Sequence, residues 1–338
     1  MTVKIILEAG VNHNGSLKRA KKMIDLASKA GADFVKFQSF LSDDLVTTKA
    51  KNFPYLKNKK IKDTQYKMLK KLELSDTDHF TLIKYCKRKN INFLSSPFSI
   101  ERFNLLNKLG LKIIKIPSGE INNFPYLRHI GRFKKKIILS TGMSVLQEIK
   151  DALKILISAG TPKKNITVLH CNTDYPTPLK DVNLNAMITL KKELGVNVGY
   201  SDHTVDENVP VVATTLGATI IEKHFTLNKK KKGADHHISL EPKDFKIMVK
   251  KIRLTEKMMG NKEYEISKEV KKKRNNYLRY ITTKKEIKKG EIFSFKNIGF
   301  FRHNKRKLGL EPKFFFTFKN KKSKMRIKKN VILSKKNI

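Results

Sequence analysis

The feature of this sequence that most constrains its fold is a repeated alternation of short apolar segments with helix-like segments. Parallel strands need such crossovers, and eight strand–helix units close into a barrel. We therefore predict a TIM-type (β/α)8 barrel of class α/β, with a doubly wound open sheet as the alternative. The predicted strands are IILEAGVNH (5–13), FVKFQSF (34–40), INFLSSPF (91–98), IIKIPSGE (113–120), KIILSTG (136–142), ITVLHCN (166–172), NVGYSDH (197–203) and ATIIEKHFT (218–226).

The segments between these strands carry helix signals. Residues 16–31, 144–160 and 184–195 have apolar residues at helical spacing and close on Gly, which is common at helix C-termini. Ser75 and Asp78 have the spacing of a capping box, so a further helix is predicted to begin there.

The chain is long enough for the barrel and a second, smaller module. At 338 residues it exceeds one average domain. We predict the barrel at 1–260, a charged linker at 261–276 and a small β-rich domain at 277–338.

An internal repeat supports the small domain. KKEIKKGEIFSFKNI (284–298) matches KMRIKKNVILSKKNI (324–338) at nine of fifteen positions. Gly290 in the first copy is replaced by Asn330 in the second, the other residue type that tolerates a left-handed turn. The repeat therefore predicts a duplicated β module.

The net charge of +43 by itself favours a polyanionic partner. However, only 11 of the 73 basic residues are Arg, and aromatic residues are not interleaved with the charge as in nucleic-acid readers. We therefore assign the lysines to solvated faces and expect no specific nucleic-acid partner. Weak, salt-sensitive association with nucleic acid and attraction of anionic substrates are expected.

Other compositional features indicate a cytoplasmic protein. Cys86 and Cys171 are too few for a disulfide framework or a zinc cluster, which fits a reducing compartment. No stretch of 18 apolar residues occurs, so neither a membrane span nor a secretory signal is expected.

Polar residues collect where the predicted strands end. In (β/α)8 barrels the chemistry lies at the carboxyl ends of the strands. Alternate residues of a strand share a face, so Glu222 is expected to point with His224, and Ser201 with His203. Layers of Val, Ile and Leu are expected to pack beneath them.

Nine short motifs occur in order along the predicted barrel. They are EAGVNHNG (8–15), FVKFQ (34–38), SSPF (95–98), KIPSGE (115–120), LSTGM (139–143), YPTP (175–178), GYSDHT (199–204), EKHFT (222–226) and GADHHISLEP (233–242). Together they resemble the sialic acid synthase (nonulosonate synthase) family. The tail is similar to the C-terminal antifreeze-like (SAF) domain of that family.

The resemblance implies a transferase that condenses phosphoenolpyruvate with an N-acetylated aminosugar and water, giving a nonulosonic acid and phosphate. N-acetylmannosamine is the usual acceptor, and a 2,4-diacetamido-6-deoxy sugar, the precursor of legionaminate-type products, stays open as the alternative. A divalent metal is also implied, with Mn²⁺ as first choice and Mg²⁺ or Co²⁺ as alternatives. More remote readings are a pyruvate aldolase with Lys36 or Lys115 as Schiff base, and a nucleic-acid-binding protein.

Cations and short hydroxyl donors at the strand ends suit phosphoenolpyruvate, which carries a phosphate and a carboxylate. The sequence has no G-x-x-x-x-G-K loop to hold them. Lys36 and Lys115 are the predicted cations for charge-assisted bonding. The predicted hydroxyl donors are Ser96, Ser118, Ser140, Thr173 and Ser201.

His203 and His224 are the predicted metal ligands. They stand at the ends of neighbouring predicted strands, so their imidazoles could share one cation. Two neutral nitrogens leave positions for water and a sugar carbonyl, which suits Mn²⁺ better than a closed zinc site. The ion would act as a Lewis acid on the open-chain aldehyde of the sugar.

Acid–base chemistry is assigned to Glu8, Glu120 and Glu222. The resemblance makes the position of Glu8 the favoured catalytic carboxylate and places that of Glu120 in the site. For Glu222, an orienting role and direct catalysis stay open.

Sugar contacts are implied by the resemblance at Asn12, Gln38, Tyr175, Asp235 and Arg302. The family commonly has a Pro-Gly-x-Gly stretch after the Arg, whereas this chain reads FRHNKRKLGLEP, which leaves that loop's geometry open. The resemblance also implies a domain-swapped homodimer, in which the small domain of one subunit caps the barrel of its partner. Arg302 is then expected to reach the neighbouring subunit's sugar.

Overall fold

A computed structural model of the protein describes residues 2–51, 64–261, 263–303 and 309–338. Within these ranges the chain forms two units, Met1–Gly260 and Asn261–Ile338.

Eight parallel strands among the described residues form the sheet of the larger unit. They are β1 (Lys4–Gly10), β2 (Phe34–Ser39), β3 (Asn92–Pro97), β4 (Ile113–Ile116), β5 (Lys136–Ser140), β6 (Ile166–Cys171), β7 (Asn197–Asp202) and β8 (Ile220–His224). Their order is β3-β2-β1-β8-β7-β6-β5-β4, and the two end strands, β3 and β4, lie side by side. The sheet is therefore a nearly closed barrel. The predicted (β/α)8 fold is confirmed, and the open-sheet alternative is wrong.

Helices lie between the strands, as the sequence pattern predicts. They are α1 (Leu17–Ala30), α2 (Ser42–Leu45), α3 (Gln65–Lys70), α4 (Asp76–Arg88), α5 (Ile100–Lys108), α6 (Phe124–Gly131), α7 (Leu146–Ser158), α8 (Ala186–Leu194), α9 (Val209–Thr215) and α10 (Pro242–Met259). The predicted capping box opens α4: Ser75 Oγ accepts from the Asp78 N–H, and the Asp78 carboxylate accepts from the Ser75 N–H. Helices α1 and α8 end at the left-handed residues Gly31 (φ 81°) and Gly195 (φ 59°).

An apolar layer lies directly beneath the strand-end polar residues. Residues two positions apart in a strand have side chains on the same face of the sheet. Ile6 therefore points to the same side as Glu8, and Ile220 to the same side as Glu222. One apolar layer of the predicted kind is present, with Phe34 in place of any Val, and each of its fully buried Ile or Leu side chains contributes about 1.5–3 kcal/mol. The layer contains Ile6, Phe34, Leu94, Ile113, Ile138, Leu169 and Ile220.

The smaller unit contains α11 (Lys268–Tyr277), β9 (Arg279–Thr283), β10 (Ile298–Arg302) and α12 (Phe315–Phe318). Helix α11 thus occupies much of the predicted linker at 261–276. The unit has its own apolar core, formed by Ile281, Ile287, Phe293, Ile298, Leu310, Phe315, Phe318, Ile327 and Leu333.

The two copies of the repeat pair with each other in the smaller unit. Ile287 and Ile327, at matching positions of the copies, exchange two backbone hydrogen bonds of 2.8 Å. Gly290 and Asn330 both adopt left-handed backbone, with φ of 83° and 62°, as the substitution pattern predicts. The assignment of 277–338 as an SAF domain stays a prediction.

Neither cysteine forms a disulfide. Cys86 and Cys171 are free and buried, and burial raises the pKa of Cys86 to about 12.

Of the helices in the described ranges, none combines the length and the apolar character that a membrane crossing demands.

Candidate active site

Four charged side chains from four strands meet at the carboxyl end of the barrel. Lys36 Nζ lies 2.8 Å from Glu8 Oε1 and 3.6 Å from Glu222 Oε1. Lys115 Nζ lies 2.9 Å from the same Glu222 oxygen. None of the four side chains is more than 4% exposed. Glu8, Lys36, Lys115 and Glu222 are called the charged cluster below.

Two of the predicted hydroxyl donors join the charged cluster. Ser201 donates to Glu222 Oε1 at 3.1 Å, and Lys36 Nζ donates to Ser96 Oγ at 3.4 Å. The second carboxylate oxygens of Glu8 and Glu222 are buried and have no hydrogen-bond partner among the described residues. Because buried polar atoms are nearly always paired, these two oxygens are suited to meet a substrate or water.

The two carboxylates of the cluster differ in proton affinity. Burial, together with the nearby charge of Glu222, raises the pKa of Glu8 from 4.5 to about 7, although Lys36 opposes this shift. Burial acts on Glu222 too, but Lys115 and Lys36 outweigh it and lower the pKa of Glu222 to about 2. Near neutral pH Glu222 is therefore ionised, whereas Glu8 is divided between its two forms. When Glu8 is protonated, the cluster carries one net positive charge, which suits an anionic substrate.

The other predicted hydroxyl donors lie around Gly142, in the loop after β5. The Gly142 N–H donates to Ser118 Oγ at 2.9 Å. A Cβ at position 142 would lie 2.5 Å from Thr173 Oγ1 and 3.0 Å from Ser118 Oγ, so a side chain there would displace both hydroxyls. Ser140 Oγ, two residues earlier, is buried without a hydrogen-bond partner in the described part of the chain. These groups form a second set of polar atoms suited to phosphate oxygens.

The two predicted metal ligands face each other, with ring centroids 5.3 Å apart. His203 Nδ1 is hydrogen-bonded to the backbone carbonyl of Asn172, which leaves Nε2 for a ligand. His224 Nδ1 is buried without a hydrogen-bond partner among the described residues, and Asp235 Oδ2 lies 3.7 Å away. Burial lowers the pKa of both imidazoles, and the proximity of His203 adds to the shift at His224. Both rings are therefore neutral near pH 7, the form that binds metals.

These observations fit a divalent ion held by two imidazoles. Among the described residues, no group of three or more His, Cys, Asp or Glu side chains has the arrangement of a complete metal site. Two imidazoles alone would leave positions around an ion for water and substrate oxygens. An open site of this kind suits Lewis-acid chemistry better than a structural role.

Three of the predicted sugar-contacting residues lie beside these groups. The ring of Tyr175 packs on His203 with centroids 4.4 Å apart. Polar atoms of Glu8, Asp235 and Gln38 surround Gly10. A Cβ at position 10 would lie 3.3–3.7 Å from one polar atom of each of these side chains. The structure thus places Gln38, Tyr175 and Asp235 around the charged cluster and the imidazoles.

Two other predicted site residues form hydrogen bonds within the protein. The Asn12 amide donates to the carbonyl of Phe225 and to Ser239 Oγ, both at 2.9 Å, which ties the loop after β1 to the loop after β8. The Glu120 carboxylate accepts a 2.8 Å hydrogen bond from the Asn123 side chain in the turn after β4. Their substrate and catalytic roles stay predictions.

Arg302 belongs to the smaller unit, where it ends β10 with an exposed side chain. The altered loop that follows it includes residues 304–308, which lie outside the described residues. Its role in sugar binding stays a prediction.

From the sequence, no contact was predicted for three groups that shape this site. They are the carbonyl of Asn172, the amide of Gly142, and a buried ion pair between Asp202 and Lys223. Gly142, Asp202 and Lys223 lie inside quoted motifs, so a signal was present, but only the folded chain shows what each one contacts.

Comparisons with known proteins identify relatives of this chain. A sequence profile of the NeuB family matches residues 23–264. The chain is 52% identical to N,N'-diacetyllegionaminic acid synthase of Campylobacter jejuni over 295 residues, which cover 87% of this chain and 88% of that protein. It is 34% identical to pseudaminic acid synthase of Helicobacter pylori over 98% of this chain and 96% of that protein.

A solved structure gives the same result. The crystal structure of N-acetylneuraminic acid (sialic acid) synthetase from Leptospira borgpetersenii, 32% identical, superposes with a TM-score of 0.71 and covers 81% of this chain and 90% of that chain. The family resemblance predicted from the nine motifs is thus confirmed by the profile, the relatives and the fold. The chain belongs to the NeuB family of nonulosonic acid synthases.

Proposed function

We propose that the protein condenses phosphoenolpyruvate with an N-acetylated aminosugar and water, releasing a nonulosonic acid and phosphate. The main support for this proposal is the charged cluster. It combines two buried lysine side chains with only one firmly ionised carboxylate, which suits an anionic substrate, and it lies beside two neutral imidazoles. The aldolase alternative needs a neutral lysine amine. Burial lowers the pKa of Lys36, but Glu222 and Glu8 outweigh burial and raise it, which disfavours a neutral amine there. At Lys115 burial outweighs the opposing effect of Glu222 and lowers the pKa, so Lys115 is the lysine that the aldolase alternative would use.

For the acceptor, we propose a 2,4-diacetamido-6-deoxy sugar that leads to a legionaminate-type product. The 52% identity to an N,N'-diacetyllegionaminic acid synthase supports it, against 34% for a pseudaminic acid synthase. N-acetylmannosamine is the second candidate, supported by the 32% identity to a sialic acid synthetase of known structure.

One assay tests both proposals. Purified protein with phosphoenolpyruvate and Mn²⁺ is given the diacetamido sugar, N-acetylmannosamine or no sugar, and phosphate release is followed. We expect release only with sugar, and fastest with the diacetamido sugar. Absence of release with every sugar would overturn the proposed reaction, whereas faster release with N-acetylmannosamine would change only the acceptor. Product formation from pyruvate in the presence of a chelator would favour the aldolase.

The protein's own groups account for the proton transfers of this reaction. Bond formation between C3 of phosphoenolpyruvate and the sugar aldehyde carbon leaves an oxygen that needs a proton, and protonated Glu8 supplies it. Water then adds to the cation at C2, and ionised Glu8 takes the proton released. The bond between C2 and the phosphate oxygen then breaks, and the C2 hydroxyl gives its proton to the leaving phosphate as the keto group forms. One group with a pKa of about 7 can give and then take the proton in this sequence.

Synthases of the NeuB family are generally metal-dependent, and we propose that His203 and His224 hold the ion, with Mn²⁺ as first choice and Mg²⁺ or Co²⁺ as alternatives. When bound, the ion would supply Lewis-acid polarisation of the aldehyde. Lys36 and Lys115 bind the phosphoenolpyruvate anion, and the hydroxyls around Gly142 bind its phosphate. The permanently ionised Glu222 holds both ammonium groups in place.

Removal of an ammonium group should affect one substrate more than the other. Lys115→Met is expected to raise the KM for phosphoenolpyruvate about 10- to 100-fold, the value of a charge-assisted hydrogen bond, and to change the KM for the sugar much less. Lys36→Met should act in the same direction. Lys4→Met is the matched control, because Lys4 is at the opposite end of β1 and pairs with Asp33 at the surface. A loss confined to the sugar would contradict the assignment of both lysines.

We also propose that the protein is a domain-swapped homodimer. The smaller unit exposes an apolar surface that needs a cover, since Phe295 and Phe316 are 49% and 72% exposed with ring centroids 6.4 Å apart. Arg302→Ala and His224→Ala chains are each expected to be nearly inactive. Unfolded and refolded together, they should recover about a quarter of the wild-type sites, because mixed dimers pair one intact barrel with one intact cap. Mixed dimers without activity would show that the swap, or the role of Arg302, is wrong.

A further inference from the structure

Lys223 is a fully buried ammonium group that the proposed reaction does not use. Its side chain is 0% exposed. Because Lys223 stands between Glu222 and His224 on β8, strand alternation turns it away from the site. An ammonium group is costly to bury unless several partners compensate it, so its partners are informative.

These partners all belong to the end of β7 and the loop after it. Lys223 Nζ donates to the carboxylate of Asp202, to the carbonyls of Thr204 (2.7 Å) and Asp206 (3.1 Å), and to Thr204 Oγ1 (3.3 Å). Asp202 also accepts from the Thr204 N–H at 2.9 Å and from the Tyr200 hydroxyl at 3.3 Å. One ammonium group therefore bonds three alternate residues of this segment, Asp202, Thr204 and Asp206.

The ion pair lies directly behind the two imidazoles. Asp202 is the register partner of Lys223 across β7 and β8. His203 lies in the chain between Asp202 and Thr204, and Lys223 bonds both of these residues. His224 directly follows Lys223 on β8. The backbone on both sides of the imidazole pair is thus fixed by one buried group.

We propose that Lys223 is a positioning residue, which sets the separation and orientation of His203 and His224 and thereby the affinity for a divalent cation. The inference rests on the proposed metal-binding role of these two imidazoles. Groups behind metal ligands typically account for 10- to 100-fold in metal affinity. A fully buried ion pair that only stabilised the fold would leave the affinity of the folded protein unchanged.

The test measures Mn²⁺ binding without substrates. Purified protein is titrated with Mn²⁺, and the free ion is followed by its electron paramagnetic resonance signal. Lys223→Met is expected to weaken binding by about 10- to 100-fold. Thr204→Val keeps the size of the side chain but removes the hydroxyl that accepts from Lys223 and that also bonds the Asp202 carboxylate and the Asp206 backbone. It should therefore weaken binding in the same direction by a smaller factor.

Arg102→Met is the matched control. Arg102 is a largely buried cation on α5 that pairs with Asp76 at 2.6 Å. Its loss should lower the melting temperature without changing Mn²⁺ affinity, which separates positioning from general stability. All titrations are made well below each variant's melting temperature, so that only folded protein is compared.

The outcomes separate this inference from the proposed metal site. If wild type binds no Mn²⁺, or if His224→Ala binds it as tightly as wild type, the proposed metal site fails. If wild type binds Mn²⁺ and both Lys223→Met and Thr204→Val bind it equally tightly, the positioning role is overturned and the metal site stands. If Lys223→Met does not fold, Thr204→Val decides: unchanged affinity overturns the inference, and weakened affinity supports it.

Discussion

Glu8→Gln is expected to lower kcat by about 10²- to 10⁴-fold, the usual contribution of a proton-transferring side chain. The amide has nearly the same shape as protonated Glu8, so the charged cluster keeps its net positive charge. The KM for phosphoenolpyruvate should therefore change little. Steady-state kinetics with phosphate release as readout measure both constants.

The pH profile identifies the reason for this loss. The pKa of Glu8 is raised from 4.5 to about 7, so the protonated form persists up to that pH and is lost above it. Because protonated Glu8 is needed first, wild-type kcat/KM should fall as pH rises through about 7. Glu8→Gln should lack that fall.

A matched control separates Glu8 from a general effect of charge. Glu193 is on α8 and pairs with Lys150 at the surface at 2.9 Å, so Glu193→Gln should behave like wild type. Retention of the full rate in Glu8→Gln would exclude Glu8 as the proton-transferring group and leave Glu120 as the next candidate.

Loss of either imidazole is expected to reduce turnover at least about 10³-fold, because Lewis-acid polarisation supplies several kcal/mol and each 1.36 kcal/mol is tenfold in rate. His203→Ala and His224→Ala should nevertheless fold, since both side chains lie above the apolar layer of the barrel. Circular dichroism checks the fold, and phosphate release checks the activity. Chelator should abolish wild-type turnover and Mn²⁺ should restore it.

His129→Ala serves as the control for this prediction. His129 is on α6, and its Nε2 pairs with Asn104 at 2.9 Å, so its removal should leave turnover unchanged. Full activity of His203→Ala or His224→Ala in metal-free buffer would contradict the assignment of the ligands.

The barrel was predictable from sequence because its determinants are local. Strand length, helical spacing and cap residues are all read over a few neighbouring positions, as the capping box of Ser75 and Asp78 shows. The left-handed turns at Gly290 and Asn330 were predictable for the same reason, since residue type alone restricts φ.

The location of the site was also predictable, since chemistry in such barrels lies where the strands end. Residue chemistry then suggested roles for Lys36, Lys115 and Glu222, because cations suit an anionic substrate and a carboxylate can transfer or orient protons. The sequence could not show that Lys36 and Lys115 share one carboxylate oxygen of Glu222. Lys36 and Glu222 are far apart in the chain, and only barrel closure brings them within 3.6 Å.

The sequence by itself thus determined the barrel, the end of the barrel that carries the polar residues and the residue types available for chemistry, because all three follow from local pattern. Only the tertiary structure decided the proton affinity and the contacts of each of those residues. The pKa values of Glu8 and Glu222 move in opposite directions although burial raises both and Lys36 lowers both. The difference is that Lys115 forms its 2.9 Å ion pair with Glu222, whereas the charge of Glu222 adds to the rise at Glu8. Likewise, Lys223 faces Asp202 behind the imidazoles because of strand register, which depends on pairing between distant segments.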